Sequence, residues 1–600
     1  MIPGPASKEL FDESKRVNGT DVKVIEADVL VIGTEGTGGK AALEAADNSA
    51  DCRIVAISKQ VIARSAVTVT AVATFNAAVH PDDSPDIHAR DTIIGGHYLS
   101  DQRLTKVMCD LGPQTIYELE AWGCKFAREP NDPSRFHCFH YPAQSHPRGC
   151  YTFPGGTTGR KMVQVMKREI FKRPNIKVMN DVFITDVLIS DGKCVGALGV
   201  KLVGTQPLLF RAKAVIIASG GGMEIFKNSD AARDATGSGY AWAYRAGATL
   251  IDMELCQFYP TNVLTPKTMY AQQPVTLIRY NLGGRLYNFD GERFMARYDP
   301  QRLEMTTRDA LSRAIAMEIL EGRGTPNGGV YLSVAHLPEE VIENWVARNN
   351  PGFKFGDVNL IEEGIDLKKG VLEVAPMAHF YLGGIKITER CETGIPGLYA
   401  AGEVAGNVQG ANRLGGNALT DCQAFGKVGG REAARYAAAQ EGLGPVDEEQ
   451  VRGFVEKIEA IYRREEGTPP HVTRERIREA MYYASVVKRE DWIQKALDTL
   501  REVRENDLPA PRLSKESRTY SKELMLALEN EDLMTTAELH LRGALMRTES
   551  RGAHYRLDFP EMDNENWCKN TLYRRDGDDV RIWTQDVDFC FLKPDFIAAR

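Results

Sequence analysis

Short apolar runs that end in glycine recur along the chain. Asp28-Val-Leu-Val-Ile-Gly33 is the first, and it reads as a buried parallel strand. Gly33-Thr-Glu-Gly36-Thr-Gly38-Gly39 follows, then Lys40 to Ala46, a strong helix former. Arg53-Ile-Val-Ala-Ile57 supplies a second strand, and Ala214-Val-Ile-Ile-Ala-Ser-Gly-Gly-Gly222 a later one. Gly397-Leu-Tyr-Ala-Ala-Gly402 returns to the same pattern. Between these, residues 80 to 155 read as helices and loops. Gly155 to Gly159 forms a glycine-rich turn that opens a helix from Arg160 to Phe171. Val178 to Val203 reads as strands turned at Asp191-Gly192. From about 257 to 362 the pattern changes to an amphipathic helix, Thr306 to Glu321, and a Gly/Pro/Asn loop, Gly322 to Gly329. Glu448 to Arg551 is charged, helical and poor in glycine, whereas the last 45 residues read as aromatic and irregular.

Strand, glycine turn, helix is the setting in which a dinucleotide fingerprint is credible, because the helix N-terminus offers free amides to a pyrophosphate. The fingerprint is imperfect. In a strict GxGxxG reading Gly33 and Gly38 hold the outer positions and Glu35 the middle one. A carboxylate there repels a pyrophosphate unless it points away, and Gly36 is the substitute for close approach. After the second strand Ser58-Lys59 stands where an acidic residue usually meets a ribose, which weakens an NAD reading and leaves other dinucleotides open.

Composition narrows the classes. The 600 residues are 43% hydrophobic and 26% charged, ordinary for a soluble globular chain. Net charge is 74 − 82 = −8, which gives no pull toward nucleic acid or an anionic bilayer. No apolar run reaches the roughly 18 residues of a membrane span, and the N-terminus lacks the pattern of a secretory signal. Eleven cysteines stand singly, without a CxxC or CxxCH, which excludes a locally bound iron–sulfur cluster or c-type haem. Their odd number suits free thiols and a cytoplasmic location. No metal site is predicted.

Ordered motifs then carry a resemblance. They include Asp91-Thr-Ile-Ile-Gly-Gly96, Tyr117-Glu-Leu-Glu-Ala-Trp-Gly123, Arg245-Ala-Gly-Ala248, Met253-Glu254 and Gln257-Phe-Tyr-Pro-Thr261. Asp290-Gly-Glu-Arg-Phe-Met295, Thr307-Arg308-Asp309 with Ser312-Arg313, and Ala378-His379 with Leu382-Gly-Gly384 follow. Gly402-Glu403, Gly410-Ala-Asn-Arg413-Leu-Gly-Gly-Asn417 and Glu549-Ser-Arg-Gly-Ala-His554 complete the set. From about residue 26 to 575 the chain resembles the succinate dehydrogenase/fumarate reductase flavoprotein subunits, a family that includes L-aspartate oxidase and the adenylylsulfate reductase α subunit.

The resemblance implies an α/β fold: a doubly wound FAD-binding domain, an inserted α+β capping domain and a C-terminal helical domain. The expected bounds are 1–256 and 363–442 for the two parts of the FAD-binding domain, 257–362 for the cap, 443–552 for the helical domain and 553–600 for a C-terminal segment. The implied cofactor contacts are Gly33, Gly36, Gly38, Ser58, Lys59, Ser65, Asn76, Thr158, Gly159, Val182, Ser219, Gly220, Ser238, Glu403, Asn417, Ala418 and Leu419. Glu403 fits the carboxylate that holds a ribityl hydroxyl, and the helix after Arg413 would face the flavin pyrimidine edge. Arg308 matches the family's proton-transferring arginine. Arg413 and His379 match groups that clamp a substrate carboxylate, and Tyr259 and Thr276 would line the pocket. His140, His146 and Arg148 lie in a loop near the cap, candidates for a role at the site with an ordinary surface loop as the alternative; His336 reads as structural, and Cys256 and Cys391 as small buried residues.

Departures bear on substrate and attachment. Tyr259 stands where dicarboxylate enzymes of the family have His, and it cannot become cationic. Thr276-Leu277-Ile-Arg-Tyr280-Asn281-Leu282 replaces a run with two carboxylates and an arginine; Tyr280 and Leu282 fall on the family's proton relay, and leucine cannot carry a proton. Ordinary succinate or fumarate turnover is therefore not expected, and a more apolar pocket is. Arg64-Ser65 continues with Ala66-Val67-Thr68 rather than a flavin-linking His, so FAD is expected to be non-covalent. The expected activity is hydride transfer between flavin N5 and a carbon of an acid-like substrate. An adenylylsulfate-reductase-like or L-aspartate-oxidase-like activity, or an electron-transfer flavin subunit, is the alternative. An iron–sulfur subunit or another electron carrier, and an oligomer, stay open as partners.

Overall fold

The computed structural model describes residues 22–64, 66–71, 74–141, 143–152, 158–272, 275–349, 363, 365–514 and 518–598. The apolar runs form one seven-stranded sheet. Its order is Ile176–Met179, Ile54–Ile57, Lys23–Ile32, Gln206–Ile217, Lys193–Lys201, Val182–Ser190. Leu398–Ala400 adds in parallel beside the far half of Gln206–Ile217. The first four strands are parallel and the last two form an antiparallel meander turned at Asp191-Gly192. Val29, Leu30 and Val31 are fully buried, as a parallel strand covered on both faces requires. Helix Gly36–Asn48 leaves the first strand, and Asn417–Ala438 packs against it.

The cap is a second lobe with its own core around Val263, Leu286, Leu311, Ile315 and Leu332. Its antiparallel sheet runs Cys256–Thr265, Leu372–Tyr381, Val330–Ser333, Arg285–Tyr287. Helix Arg308–Leu320 lies on it, tied by Ser312 Oγ donating to the Phe258 carbonyl at 3.0 Å. The strand Leu372–Tyr381 lies past the expected cap boundary at 362, so this sheet draws a strand from the segment assigned to the FAD-binding domain. Four helices, Glu448–Tyr462, Pro470–Tyr482, Glu490–Asn506 and Lys522–Met546, form the expected helical region.

Two local expectations need correction. Residues 80–155 contain short strands as well as helices: Cys138–Phe139, Gly149–Cys150 and Phe75–Asn76 make one small sheet. The last residues are not irregular. Lys569–Asp576 and Asp579–Asp586 form a hairpin around Gly577, whose φ of 61° suits only a turn residue without Cβ strain. Leu572 and Tyr573 of that hairpin pair with Leu250–Ile251, so the C-terminal segment completes a sheet of the main body. Among the described residues no helix is long and apolar enough to cross a membrane, and no group of three or more His, Cys, Asp or Glu is placed to hold a metal ion.

Candidate active site

A cavity of about 350 Å³ opens at the C-terminal ends of the parallel strands, where doubly wound sheets bind ligands, and runs to the cap. Of the expected cofactor residues, Gly33, Gly36, Ser58, Lys59, Val182, Ser219, Gly220, Ser238, Glu403, Ala418 and Leu419 line it. Arg308, His379 and Arg413 line its cap end.

The remaining expected residues lie off the wall. Gly38 is a packing residue: a Cβ there would sit 2.0 Å from the Gly33 carbonyl oxygen, so only glycine lets helix and strand approach. Asn76 donates to the Gly415 carbonyl at 2.7 Å and to Asn417 Oδ1 at 2.8 Å. Asn417 in turn donates to Thr92 Oγ1, and its Oδ1 lies 2.9 Å from His88 Nε2. These two asparagines shape the turn at Gly416 (φ 90°) that starts helix Asn417–Ala438. Thr158 accepts from the Thr152 amide, and Gly159 packs tightly on Thr68. Ser65 lies outside the described residues. So does the Thr276 side chain, although its backbone belongs to helix Val275–Leu282.

The cavity fits FAD. Thr34 Oγ1, Glu35 Oε2, Ser219 Oγ, Trp242 Nε1 and Arg413 Nε are buried without a hydrogen-bond partner, and all five residues line this one wall. Buried polar atoms are rarely left so, and their clustering marks a place for a polar ligand. Helix Gly36–Asn48 begins at the wall with no side-chain cap and no acidic residue in its first turn, which leaves its dipole for an anionic group. Glu35 does not upset this. Its Oε1 accepts from the Ala63 amide at 2.8 Å, and burial pushes its carboxyl up to about 7. Glu403, held by the Tyr381 amide at 2.9 Å, is pushed by burial up to about 8; a protonated carboxyl there is a donor as well as an acceptor for a hydroxyl. Lys59 brings less charge than expected, since its Nζ pairs with Glu529 at 2.7 Å.

At the cap end, three elements converge. Arg308 opens helix Arg308–Leu320, His379 sits on strand Leu372–Tyr381, and Arg413 stands in the turn before Asn417. Arg308 donates to Gln257 Oε1 at 3.3 Å and lies 4.9 Å from the Tyr259 ring. Arg413 is stacked 4.5 Å from the Phe380 ring; burial, then the nearby Arg308 charge, presses it down to about 9. His379 Nδ1 lies 3.0 Å from both Asp230 oxygens, and burial holds the imidazole below its ordinary value despite that carboxylate. Tyr259 is not on the wall but is packed 5.1 Å from the His379 ring, and burial pushes its hydroxyl well up. Among the described residues no carboxylate pairs with Arg308 or Arg413, so two cations face one cavity. Leu282 belongs to the cap core and the Tyr280 hydroxyl accepts from Arg279 at 2.6 Å.

Asp230, Gln257 and Phe380 escaped the sequence reading of roles. Gln257 lay inside a quoted motif, and it ties Arg308 to Asn412 and to the Arg413 carbonyl. Asp230 carries no local signal; it reaches His379 because Ser229 bridges Ala378. Arg148 is buried and paired with Asp83 and Asp91, a structural role.

Wall, strand ends and helix start together define an FAD-binding oxidoreductase. Residues 28–419 match the FAD binding domain family, and residues 474–596 match the fumarate reductase flavoprotein C-terminal family. The chain is 39% identical over 562 residues to a fumarate reductase (CoM/CoB) subunit of Methanothermobacter marburgensis, covering 92% of this chain and 98% of that one. It is 31% identical over 586 residues to the succinate dehydrogenase flavoprotein subunit of Coxiella burnetii, covering 93% and 96%. Its fold overlays the E. coli quinol fumarate reductase FrdA with a TM-score of 0.86 at 29% identity, covering 95% and 98%. The chain belongs to the fumarate reductase/succinate dehydrogenase flavoprotein family, whose members are FAD-dependent oxidoreductases acting on CH–CH bonds.

Proposed function

We propose that this chain adds or removes hydrogen across a carbon–carbon bond beside a carboxylate in a small organic acid. The observation that carries the reading is the pair Arg308 and Arg413, two cations without a carboxylate partner at the end of the cofactor cavity. When bound, FAD supplies the two-electron, hydride-carrying chemistry that side chains lack. Arg413 offers a bidentate fork to the substrate carboxylate, and His379, oriented by Asp230, adds a second contact. Arg308, fixed by Gln257 and the Tyr259 ring, holds and moves the proton at the substrate carbon. The Phe380 ring and the inner wall limit water at this end.

Tyr259, packed against Arg308 and His379 behind the wall and unable to become cationic, favours a substrate with one carboxylate and a neutral or apolar far end. A second reading, fumarate itself, is favoured by the 39% identical relative, a fumarate reductase (CoM/CoB) subunit. That relative and others are named as subunits, which supports a partner that carries electrons; an iron–sulfur subunit is the proposed class. Ala66-Val67-Thr68 supports non-covalent FAD, and eleven free cysteines support a cytoplasmic location.

Anaerobic titration separates the readings. The flavin is reduced with dithionite and then mixed in turn with fumarate and with monocarboxylic enoates. Reoxidation by enoates but not fumarate supports the first reading, and reoxidation by fumarate the second. A flavin that ignores every unsaturated acid, and every saturated counterpart in the oxidised state, overturns both. Acid precipitation checks attachment: yellow colour in the pellet contradicts a dissociable cofactor.

A further inference from the structure

Cys138 and Cys150 are direct cross-strand partners in the small sheet that Gly149–Cys150 forms with Cys138–Phe139 and Phe75–Asn76. Their sulfurs are 3.6 Å apart. A disulfide needs roughly 2 Å, and directly opposed strand residues already hold their Cα atoms within its range. The gap closes by side-chain rotation without moving the strands. The two thiols differ in setting. Cys138 is half-buried and Cys150 is fully buried. The contact from Cys150 holds the Cys138 thiol below its ordinary value, while burial pushes Cys150 up. One sulfur is a reachable nucleophile and the other a protected partner.

The twelve-residue step between them is docked on the active site. Tyr141 packs over Gly415, and Gln144 donates to the Gly415 carbonyl at 2.9 Å. His140 Nε2 lies 2.6 Å from the Gln144 carbonyl oxygen. Asn76, from the third strand, donates to the same Gly415 carbonyl. Gly415 is two residues from Arg413.

We propose that Cys138 and Cys150 form a reversible thiol–disulfide site whose substrate class is the low-molecular-weight disulfides, and that closing it pins the 139–149 loop against the Arg413 turn. Cys138 thiolate attacks one sulfur of the small disulfide, forming a mixed disulfide and releasing one small thiolate. Cys150 loses its proton to that thiolate or to water and attacks Cys138 Sγ, releasing the second small thiol. Two protein thiols are oxidised and one small disulfide is reduced to two thiols.

The test uses the FAD-loaded protein, reduced with dithiothreitol, desalted and treated with oxidised glutathione. Alkylation and peptide mapping then show peptides carrying Cys138 and Cys150 linked, and dithiothreitol separates them. Cys150→Ser stops at the first step and keeps a glutathione adduct on Cys138, whereas Cys138→Ser gives neither a link nor an adduct at Cys150. Flavin absorbance confirms that each variant is folded. Amide exchange over 139–149 slows roughly threefold or more in the linked form. Unlinked peptides in the wild type, or no Cys138 adduct in Cys150→Ser, overturn the site. Unchanged exchange in a linked protein overturns the coupling to the loop. Neither readout depends on which acid the enzyme uses.

Discussion

The cap end of the cavity and the joint between the main body and the C-terminal hairpin both bury arginines, but they treat them in opposite ways. At the joint, Arg547 donates to Glu254 at 2.7 Å and Glu549 at 2.9 Å, with the Trp567 and Lys569 carbonyls taking two more of its hydrogens. Arg551 shares Glu549. Each guanidinium nitrogen there has an acceptor within the chain. At the cavity, Arg413 has only a long contact to the Leu414 carbonyl and the face of Phe380, and its Nε has no acceptor. The carboxylates it senses, Glu403 and Asp421, are themselves pushed by burial up to about 8 and about 7, so they answer little of its charge near neutrality. A buried cation without its counterion is costly, and an anion from outside would offset that cost. Residue type and burial alone do not separate the two regions; pairing does.

Substitutions can break this contrast. Arg308→Lys keeps a positive charge but loses the planar fork, and turnover is expected to fall about 10²- to 10⁴-fold while FAD stays bound. Steady-state rates with the flavin spectrum as control measure it, and near-normal turnover would remove Arg308 from proton transfer. Arg547→Met acts at the paired joint, where it takes the guanidinium charge from Glu254 and Glu549, both fully buried, and leaves Glu254 with only the hydroxyls of Thr571 and Tyr573. Unfolding free energy is expected to drop by roughly 3–5 kcal/mol. A denaturation curve close to the wild type would mean that the joint relaxes and that the contrast has been overstated.

A smaller effect sharpens the comparison through pH. The folded protein without flavin raises the Glu403 carboxyl from 4.5 to about 8, chiefly by burial. Its stabilising contribution is whole below about pH 4.5 and is lost as pH rises through about 8, because the unfolded chain releases the proton first. Glu403→Gln should therefore flatten the fall in stability across that window, by at most about 1.4 kcal/mol per pH unit. Parallel slopes for the two proteins in urea titrations would show that Glu403 is already ionised. The least effect belongs to an exposed pair. Arg518 meets Glu459 at 2.7 Å on the surface, and Arg518→Ala is expected to cost under about 1 kcal/mol in thermal unfolding.

Legibility in the sequence followed the range of the interactions. The nucleotide strands announced themselves because a strand buried on both faces must be apolar along its length, as Val29 to Ile32 is. Ordered motifs assign Arg308, His379 and Arg413 to one site through the family resemblance, and all three line the cavity. The resemblance said less about which expected cofactor residues face the cavity. Gly38, Asn76, Thr158, Gly159 and Asn417 shape the turns behind the wall rather than line it. Asp230 was invisible because its partner is 149 positions away and no periodicity links them. The C-terminal hairpin was missed for a different reason. Its alternation is short, its outer strand is largely exposed, and only the Asp576-Gly577 turn marked it.

The hairpin also sets an order on synthesis. Leu250–Ile251 is joined on one edge by residues near 385 and on the other by residues near 572. Asp252 and Glu254, just beyond, receive hydrogens from Asn570, Thr571 and Tyr573. A nascent chain therefore lacks these donors to Asp252 and Glu254 until residues 570–573 have emerged from the ribosome. During that interval the unfinished body is the species most exposed to chaperones and proteases.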